Sequence, residues 1–263
     1  MKKKRLDLLL VEKGFSPSRS RAQAEIMAGN VYINGKLINK GGTLVNPEAE
    51  LYIKPSTNPY VSRGGLKLQK ALVFFAINLH DRVVLDIGAS TGGFTDCALQ
   101  NGARKVYAVD VGYGQLDWKL RQNRRVVNME KKNFRYLSLD DFSETIDFAV
   151  VDVSFISLKL VFPVLRSLCV PEAITLIKPQ FEAGPQNVGK GGVVRDPFVQ
   201  QEVIGSIIGF AAKESYGIQK LTFSEVRGPK GNIEYLGYFI KGQDQEPVDV
   251  AGVVKEAHFF FSN

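Results

Sequence analysis

Short apolar runs alternate with helical stretches through most of the chain, and this alternation constrains the fold more than any other feature. Each run ends in polar or turn residues; the runs are Arg82–Ile87, Lys105–Asp110, Arg125–Asn128, Asp147–Asp152 and Ala173–Lys178. Parallel strands are apolar on both faces and need helical crossovers, so the pattern predicts a parallel sheet covered by helices. Two later runs, Ile218–Val226 and Glu234–Ile240, have no helix between them and predict an antiparallel hairpin at the edge of the sheet.

The composition agrees with a globular protein of one large domain, or of a large and a small one. The 263 residues are 44% hydrophobic and 23% charged, which argues against disorder and coiled coil. Asp7, Glu12 and Lys13 interrupt the apolar stretch near the start, and no run reaches membrane-spanning length, so we expect a cytoplasmic protein without a membrane partner. Two widely spaced cysteines and two histidines argue against a disulfide scaffold and a metal site. The oligomeric state stays open.

The positive charge is concentrated at the start of the chain. The formal net charge is +7, and residues 1–62 hold ten basic and five acidic side chains, which leaves +2 for the rest. Two prolines with Ser, Thr and Asn mark residues 54–62 as a linker. We therefore predict a small basic domain over 1–53 and a large domain over 63–263. This asymmetry favours a polyanion partner; a basic surface that only aids solubility is the alternative.

The small domain is predicted to contain two helices followed by a small sheet. A first helix covers Arg5–Lys13, a second runs from Ser16 to Gly29, and the Asn34-Gly35 pair predicts a hairpin turn. This order, with the stretch SRSRAQAEIMAGNVYINGK, resembles the small RNA-binding domain of ribosomal small-subunit protein four. In that family basic residues at the second helix contact RNA phosphates. The resemblance implies this role for four residues, Arg5, Arg19, Arg21 and Lys36; side chains that merely face water are the alternative.

A glycine-rich turn follows the first strand of the large domain. Gly88, Gly92 and Gly93 lie where ligands of parallel sheets bind. Ser90 replaces the second glycine of a nicotinamide fingerprint, and Phe94 stands where a nucleoside-triphosphate loop ends in Lys and Ser or Thr. The turn therefore favours another ligand.

Two acidic residues flank this turn. Asp110, at the end of the second strand, is placed for ribose hydroxyls. Asp86, directly before the turn, would repel a pyrophosphate but suits an ammonium group. The pattern D-x-G-x-x-x-G-G-F-T resembles the first motif of S-adenosylmethionine-dependent methyltransferases, with their Rossmann-like sheet. That resemblance implies a cofactor site formed by Asp86, Gly88, Ala89, Ser90, Gly92, Gly93, Phe94, Asp110, Val111 and Asp152, with Met129 or Glu130 near the adenine. A tight turn without a ligand is the alternative for the glycines, and a surface charge is the alternative for Glu130.

Four charged residues occupy positions that a sheet of this kind presents at one edge. They are Lys67 in SRGGLKL, Asp152 in VDVSF, Lys178 in LIKPQFE and Glu234 in NIEYLGYF. These segments, in this order and behind the small basic domain, resemble the haemolysin A or TlyA family of ribosomal RNA 2'-O-methyltransferases, whose catalytic domain is FtsJ-like. The resemblance implies a Lys-Asp-Lys-Glu catalytic tetrad that acts on cytidine ribose in small- or large-subunit ribosomal RNA. An exposed strand end for Lys178 and an ordinary ion pair between Lys67 and Glu234 are the alternatives.

The chemistry expected of such a tetrad centres on Lys178. A ribose 2'-hydroxyl is a weak nucleophile, so it must be held in line with the sulfonium methyl at about 3 to 3.5 Å while it loses its proton. Lys178 is our candidate for positioning and deprotonating it. Lys67 and the sulfonium charge favour a neutral amine, whereas Asp152 and Glu234 favour the ammonium. Whether Lys178 acts as a base or as a cation that stabilises the alkoxide stays open.

The segment 183–196 has four glycines and no apolar periodicity. We predict a mobile loop that covers RNA or cofactor, with Lys190 and Arg195 as phosphate contacts and Arg63, after the linker, as another. A simple connection before a helix capped by Asp196 is the alternative.

Three other functions compete with ribose methylation. Base methylation is disfavoured, because Asp152 is followed by Val-Ser-Phe rather than by the Pro-Pro-aromatic motif of amine methyltransferases. A membrane-active haemolysin, which the older family name suggests, lacks a long cationic amphipathic helix. A non-catalytic RNA-binding or ribosome-assembly factor would keep the fold without binding the cofactor.

Overall fold

A computed structural model of the chain describes residues 3–16, 18–27, 29–54 and 58–262. The chain divides into two compact units, Met1–Pro59 and Tyr60–Asn263, and this division falls inside the predicted linker 54–62.

The N-terminal unit contains the predicted helices and hairpin. Its elements are β1 (Lys4–Arg5), α1 (Leu6–Glu12), α2 (Arg19–Met27), β2 (Val31–Ile33), β3 (Lys36–Leu37), β4 (Leu44–Val45) and β5 (Leu51–Ile53). Strand β2 pairs antiparallel with β3 and β5, and β1 pairs with β4. Asn34 and Gly35 both have positive φ, 48° and 74°, as the two-residue turn between β2 and β3 requires. Leu6, Leu10 and Ile26 are completely buried between the helices and the sheet. Helix α2 begins at Arg19, three residues after the predicted start.

The C-terminal unit is built on one seven-stranded sheet. Its strands are β6 (Val83–Ile87), β7 (Lys105–Val109), β8 (Val126–Met129), β9 (Phe148–Val151), β10 (Glu172–Ile177), β11 (Tyr216–Phe223) and β12 (Tyr235–Lys241). They lie in the order β11-β12-β10-β9-β6-β7-β8. The five strands from β6 to β10 are mutually parallel, and β12 runs antiparallel to β10 and β11. The predicted fold class is confirmed, with β12 inserted between β10 and the edge strand β11.

Helices cover both faces of this sheet. They are α3 (Gly64–Phe75), α4 (Gly93–Gln100), α5 (Trp118–Arg121), α6 (Phe162–Ser167), α7 (Pro179–Glu182), α8 (Pro197–Lys213) and α9 (Val250–Ser262). Successive β6 side chains alternate between two cores: Val83 and Leu85 pack on the side of α6, α8 and α9, and Val84 packs with α3 and α4. The carboxyl ends of β6, β7, β9 and β10 meet at one edge, and the antiparallel β12 starts at that same edge. Residues that follow four separate strands, and one that precedes β12, are thereby brought together.

Candidate active site

A cavity of about 550 Å³ opens at this edge of the sheet, within the usual size range of small-molecule sites. It is lined by all four residues of the predicted tetrad, by most of the glycine turn, and by two loops. The tetrad residues in its wall are Lys67, Asp152, Lys178 and Glu234, and the turn contributes Gly88, Ala89, Ser90, Thr91, Gly93 and Phe94. The structure therefore places the predicted catalytic set beside the predicted cofactor turn.

Lys67 and Glu234 form a buried ion pair. Lys67 lies in the first turn of α3 and Glu234 directly precedes β12, and their Nζ and Oε2 atoms are 2.5 Å apart. The Lys67 side chain is 9% exposed and that of Glu234 is 0% exposed. Gln180 Nε2 donates to the second carboxylate oxygen of Glu234 at 2.9 Å. A charged pair so far from water must be fully hydrogen-bonded to be tolerated, and Gln180 supplies the contact that the lysine leaves open.

Lys178 directly follows β10 and has one ion-pair partner and one hydrogen-bond acceptor. Its Nζ lies 2.5 Å from Asp152 Oδ1 and donates to Ser154 Oγ at 3.0 Å. The lysine side chain is 8% exposed, whereas that of Asp152 is 22% exposed and reaches the cavity. An ammonium group has three N–H donors. One is donated to Ser154 Oγ, whereas the contact with Asp152 Oδ1 is an ion pair without hydrogen-bond geometry, so N–H donors remain for a group in the cavity.

The glycine turn brings the ends of two strands into close contact. Gly88 has φ +87°, and a Cβ on it would lie 2.9 Å from the carbonyl carbon of Asp152. A side chain is therefore excluded on both conformational and steric grounds. Because Gly88 has none, Asp152 at the end of β9 sits directly against the turn that ends β6. This is the close backbone approach that a cofactor-binding turn needs.

Asp110 holds the other side of the same turn. Its two carboxylate oxygens accept hydrogen bonds from the backbone N–H groups of Ser90, at 2.8 Å, and Gly112, at 2.7 Å. Each oxygen keeps a further lone pair for a hydroxyl donor. Val111, the next residue, is 68% exposed. Neither Asp110 nor Val111 lines the cavity, but the half-buried Asp110 carboxylate beside the glycine turn has the chemistry to accept ribose hydroxyls of a nucleoside bound across that turn.

Asp86 is buried rather than directed into the cavity. It is 0% exposed and does not line the cavity; Thr95 Oγ1 donates to its Oδ2 at 2.6 Å. Burial raises the pKa of Asp86 to about 7, and the negative charge of Asp152 adds to this rise. The hydrogen bond from Thr95 acts in the opposite direction and lowers the pKa. In the described residues its Oδ1 has no hydrogen-bond partner. In this structure Asp86 therefore lies in the core behind the glycine turn, where it contacts Thr95 at the start of α4.

Glu130 fixes the loop after β7. Its Oε1 accepts from the backbone N–H groups of Gln115 and Leu116 and from Arg121 Nη2, the last at 2.5 Å. Although burial opposes ionisation, these hydrogen bonds lower the pKa of Glu130 to about 2. The side chain is 7% exposed, which excludes the surface-charge alternative. Its neighbour Met129 is half-buried and packs against the core.

The predicted RNA contacts of the C-terminal unit lie in two places. Arg63, at the start of α3, is exposed and lines the cavity. Lys190 and Arg195 are exposed on the segment 183–196 and do not line the cavity, although Val188 and Gly192 of that segment do. The segment ends at α8, where Asp196 Oδ1 caps the helix by accepting from Phe198 N at 2.9 Å, as the alternative of a simple connection expects.

Two of the predicted RNA contacts of the N-terminal unit, Arg5 and Arg19, hydrogen-bond to the buried Asp7. Arg5 donates to both oxygens of Asp7, at 3.0 and 2.9 Å, and Arg19 Nε donates to Asp7 Oδ2 at 3.0 Å. Lys36 is exposed on β3. The side chain of Arg21 lies outside the described part of the structure.

Comparison with known proteins identifies the family of this chain. The sequence model of the FtsJ-like methyltransferase family matches residues 60–241, and the sequence model of the S4 domain family matches residues 4–51. The chain belongs to the FtsJ-like methyltransferase family. Its first domain is an S4 domain.

Relatives of this FtsJ-like protein align over almost its whole length. A Bacillus subtilis protein named YqxC, a candidate rRNA methyltransferase, is 51% identical over 98% of this chain and 95% of its own. The "16S/23S rRNA (cytidine-2'-O)-methyltransferase TlyA" of Mycobacterium tuberculosis is 39% identical over 97% of this chain and 96% of its own. The solved structure of a candidate hemolysin from Streptococcus thermophilus has a TM-score of 0.78 and 43% identity, and covers 100% of this chain and 98% of the other.

Several cavity residues of this FtsJ-like domain are absent from the sequence prediction. Ser154, Phe155 and Phe181 lie inside motifs that the sequence did single out, VDVSF and LIKPQFE, but nothing in the spacing distinguishes them there. The rings of Phe155 and Phe181 are 4.9 Å apart, and Phe155 is 90% exposed with a left-handed φ of +63°. That conformation is rare for a bulky residue and is often found at functional sites. Arg227 and Lys230 also line the cavity. The sequence does not predict this, because a turn-rich segment is expected only to connect two strands.

Membrane-spanning helices and metal sites are both absent from the described part of the chain. Across residues 3–262, apart from the gaps given above, no helix is long and apolar enough to cross a membrane. In the same ranges no group of three His, Cys, Asp or Glu side chains is arranged to hold a metal ion.

Proposed function

We propose that this protein transfers the methyl group of S-adenosylmethionine to the ribose 2'-hydroxyl of a cytidine in ribosomal RNA. The observation that carries the proposal is the cavity in which two buried lysine–carboxylate pairs lie beside the glycine turn. The mycobacterial relative named for this reaction and the S4 domain support the choice of RNA as substrate. The subunit and the nucleotide are left to experiment.

The cofactor would bind across the glycine turn. Asp110 would accept the ribose hydroxyls, and Gly88, Ala89 and Ser90 would allow close approach of the methionine end. When bound, S-adenosylmethionine supplies an electrophilic methyl group on a sulfonium. Asp152, against the turn and partly exposed, places a negative charge near that cation.

Lys178 would hold the reacting hydroxyl. Because the ion pair with Asp152 and the hydrogen bond to Ser154 hold its Nζ in place, a further N–H can be directed at the 2'-oxygen. The lysine charge then stabilises the negative charge that develops on this oxygen while its proton passes to water in the open cavity, and the products are the 2'-O-methyl ribose and S-adenosylhomocysteine. We infer this cationic role from the Asp152 carboxylate and the Ser154 hydroxyl oxygen that lie around the group.

Lys67 and Glu234 would shape the cavity around that hydroxyl. Glu234 is fixed by Lys67 and by Gln180, whose chain neighbour Phe181 packs its ring against that of Phe155. An exposed aromatic ring at the cavity rim can stack on an unpaired base and hold its ribose over Lys178. The arrangement suits a nucleotide displaced from its RNA helix rather than one inside a duplex.

The test is methyl transfer from labelled S-adenosylmethionine to ribosomal RNA and to isolated subunits, followed by mapping of 2'-O-methylated riboses. We expect transfer to cytidine ribose, and Lys178→Ala should reduce the rate at least about 100-fold, as for loss of a group that stabilises transition-state charge. Cofactor affinity, measured by calorimetry, should stay nearly unchanged. Lys213→Ala, an exposed lysine at the end of α8, is the matched control. Full activity of Lys178→Ala would refute the assigned role, and wild-type protein that fails to bind the cofactor would favour a non-catalytic RNA-binding factor.

A further inference from the structure

The loop between β11 and β12 places two cationic side chains at the mouth of the cavity. Arg227 and Lys230 are both exposed, and both line the cavity. Within the described ranges neither forms an ion pair, whereas both cavity carboxylates, Asp152 and Glu234, are paired with lysines. The charge of these two groups is therefore available to a ligand.

Arg227 is held in place from outside the loop. Its Nη2 donates to the backbone carbonyl of Phe261 at 2.9 Å, and its guanidinium lies 4.6 Å from the centre of the Phe261 ring. A stacked guanidinium keeps its remaining N–H groups free in the plane of the fork. The last turn of α9 thus presents an oriented donor group at the cavity.

The position of the Lys230 side chain is set by the backbone conformation of the loop and not by a side-chain hydrogen bond to any of the described residues. Its φ is +64°, in the left-handed region, and its Nζ passes close to Gly192: a Cβ there would be 3.3 Å away. Asn232 joins the two loops, since its Oδ1 accepts from Val194 N at 3.1 Å and its Nδ2 donates to the Gly192 carbonyl at 2.9 Å. The segment 183–196 therefore braces Lys230 from the other side.

The cavity as a whole has an excess of positive charge. Its wall contains five cationic side chains and two carboxylates. We propose that Arg227 and Lys230 form a subsite for an RNA phosphodiester next to the nucleotide that is methylated. The proposal rests on the function proposed above and names a contact of the same site. Oriented guanidinium and ammonium donors are the groups that bind phosphate oxygens.

The test is the affinity of full-length Arg227→Gln and Lys230→Gln for ribosomal RNA over a series of salt concentrations. Each variant should bind about five- to tenfold more weakly, and the slope of log affinity against log salt should fall by about 0.7 to 1 for each phosphate that the variant no longer neutralises. Arg166→Gln, which removes an arginine of α6 that pairs with Glu214, should keep the wild-type slope. Wild-type affinity and slope for both cavity variants would overturn the subsite.

Cofactor binding distinguishes phosphate from the other anion that could use these donors, the carboxylate of S-adenosylmethionine. Unchanged cofactor affinity in both variants is expected, and loss of cofactor affinity with normal RNA binding would contradict the proposal. Phe261→Leu keeps the Arg227 charge and removes the ring beneath it; we expect about a threefold loss of RNA affinity, and Arg227→Lys should retain most of the salt slope. RNA binding and methyl transfer are measured separately. Failure of the proposed subsite, seen as unchanged RNA binding by the variants, can therefore be told apart from failure of the proposed function, seen as absence of methyl transfer by the wild-type protein.

Discussion

The two units of the protein both combine carboxylates with cations, but in opposite arrangements. In the S4 domain the acid is buried and the cations are exposed: Asp7 is completely buried, and the side chains of Arg5 and Arg19 are 43% and 54% exposed. In the cavity of the FtsJ-like domain the cations of the two ion pairs are buried, since the Lys67 and Lys178 side chains are 9% and 8% exposed. One arrangement presents positive charge to the outside, and the other holds it at the bottom of a cavity.

The choice of cation agrees with this difference. Arginine has a planar fork that can donate to a carboxylate and to a phosphate at the same time, so it suits a surface that binds RNA. Lysine is a compact charge that can be placed within hydrogen-bond distance of one reacting atom. Reciprocal changes in the two units therefore test the comparison directly.

The largest effect is expected for Lys178→Arg, which keeps the charge and changes its shape. A guanidinium is too large for the space between Asp152 Oδ1 and Ser154 Oγ, now filled by one Nζ. We expect methyl transfer to fall about 100-fold with little change in RNA or cofactor affinity, measured as kcat and as two dissociation constants. Arg19→Lys in the S4 domain is the reciprocal control and should alter RNA affinity only about twofold. Equal activity of Lys178→Arg and wild type would show that a charge alone suffices.

A smaller effect is expected for Asp7→Asn. Hydrogen bonds from Arg5, with those from Gln23 and Arg19, hold the pKa of Asp7 well below its usual range despite its burial. The substitution adds one positive charge to the domain, so simple electrostatics predicts tighter RNA binding. If Asp7 instead orients the two arginines for phosphates, RNA affinity should fall about fivefold, on the order of 1 kcal/mol. The sign of the change in the dissociation constant decides between these accounts, and Glu48→Gln, which removes an exposed acid of the same domain, makes the same change in net charge and is the control.

The sequence predicts the fold, and the meeting of four charged residues at one edge of the sheet, for a physical reason. Apolar runs such as Phe148–Val151 are buried on both faces, so their periodicity is visible without tertiary information, and parallel strands carry Asp152 and Lys178 to one edge automatically. The Asp7 cluster, the Ser154 contact and the Arg227–Phe261 stack join residues through side-chain geometry. No spacing rule encodes such contacts. Glu130 illustrates this limit of sequence-based prediction. From the sequence its side chain is expected to face adenine or solvent, whereas in the structure it accepts hydrogen bonds from backbone N–H groups of the loop after β7.

The comparison extends to a second completely buried aspartate, Asp86 in β6, which has no cationic partner among the described residues. Its folded pKa of about 7 lies above the ordinary value of 3.8. Between these two pH values the unfolded chain releases a proton that the folded chain retains. The free energy of unfolding should therefore fall as pH rises from about 4 to 7, by a few kcal/mol, and then level off.

Asp86→Asn isolates this contribution, because the amide carbonyl can still accept from Thr95 but cannot ionise. We expect wild-type protein to lose stability relative to Asp86→Asn between about pH 5 and pH 8, measured by chemical denaturation at both values. Asp7 has the opposite sign: its contribution is present above about pH 4 and is lost only as pH falls below its unfolded value. A parallel pH dependence of wild type and Asp86→Asn would mean that Asp86 is already ionised when buried. In that case an unrecognised donor must reach its Oδ1, and the glycine turn would rest on a charge rather than on a neutral acid.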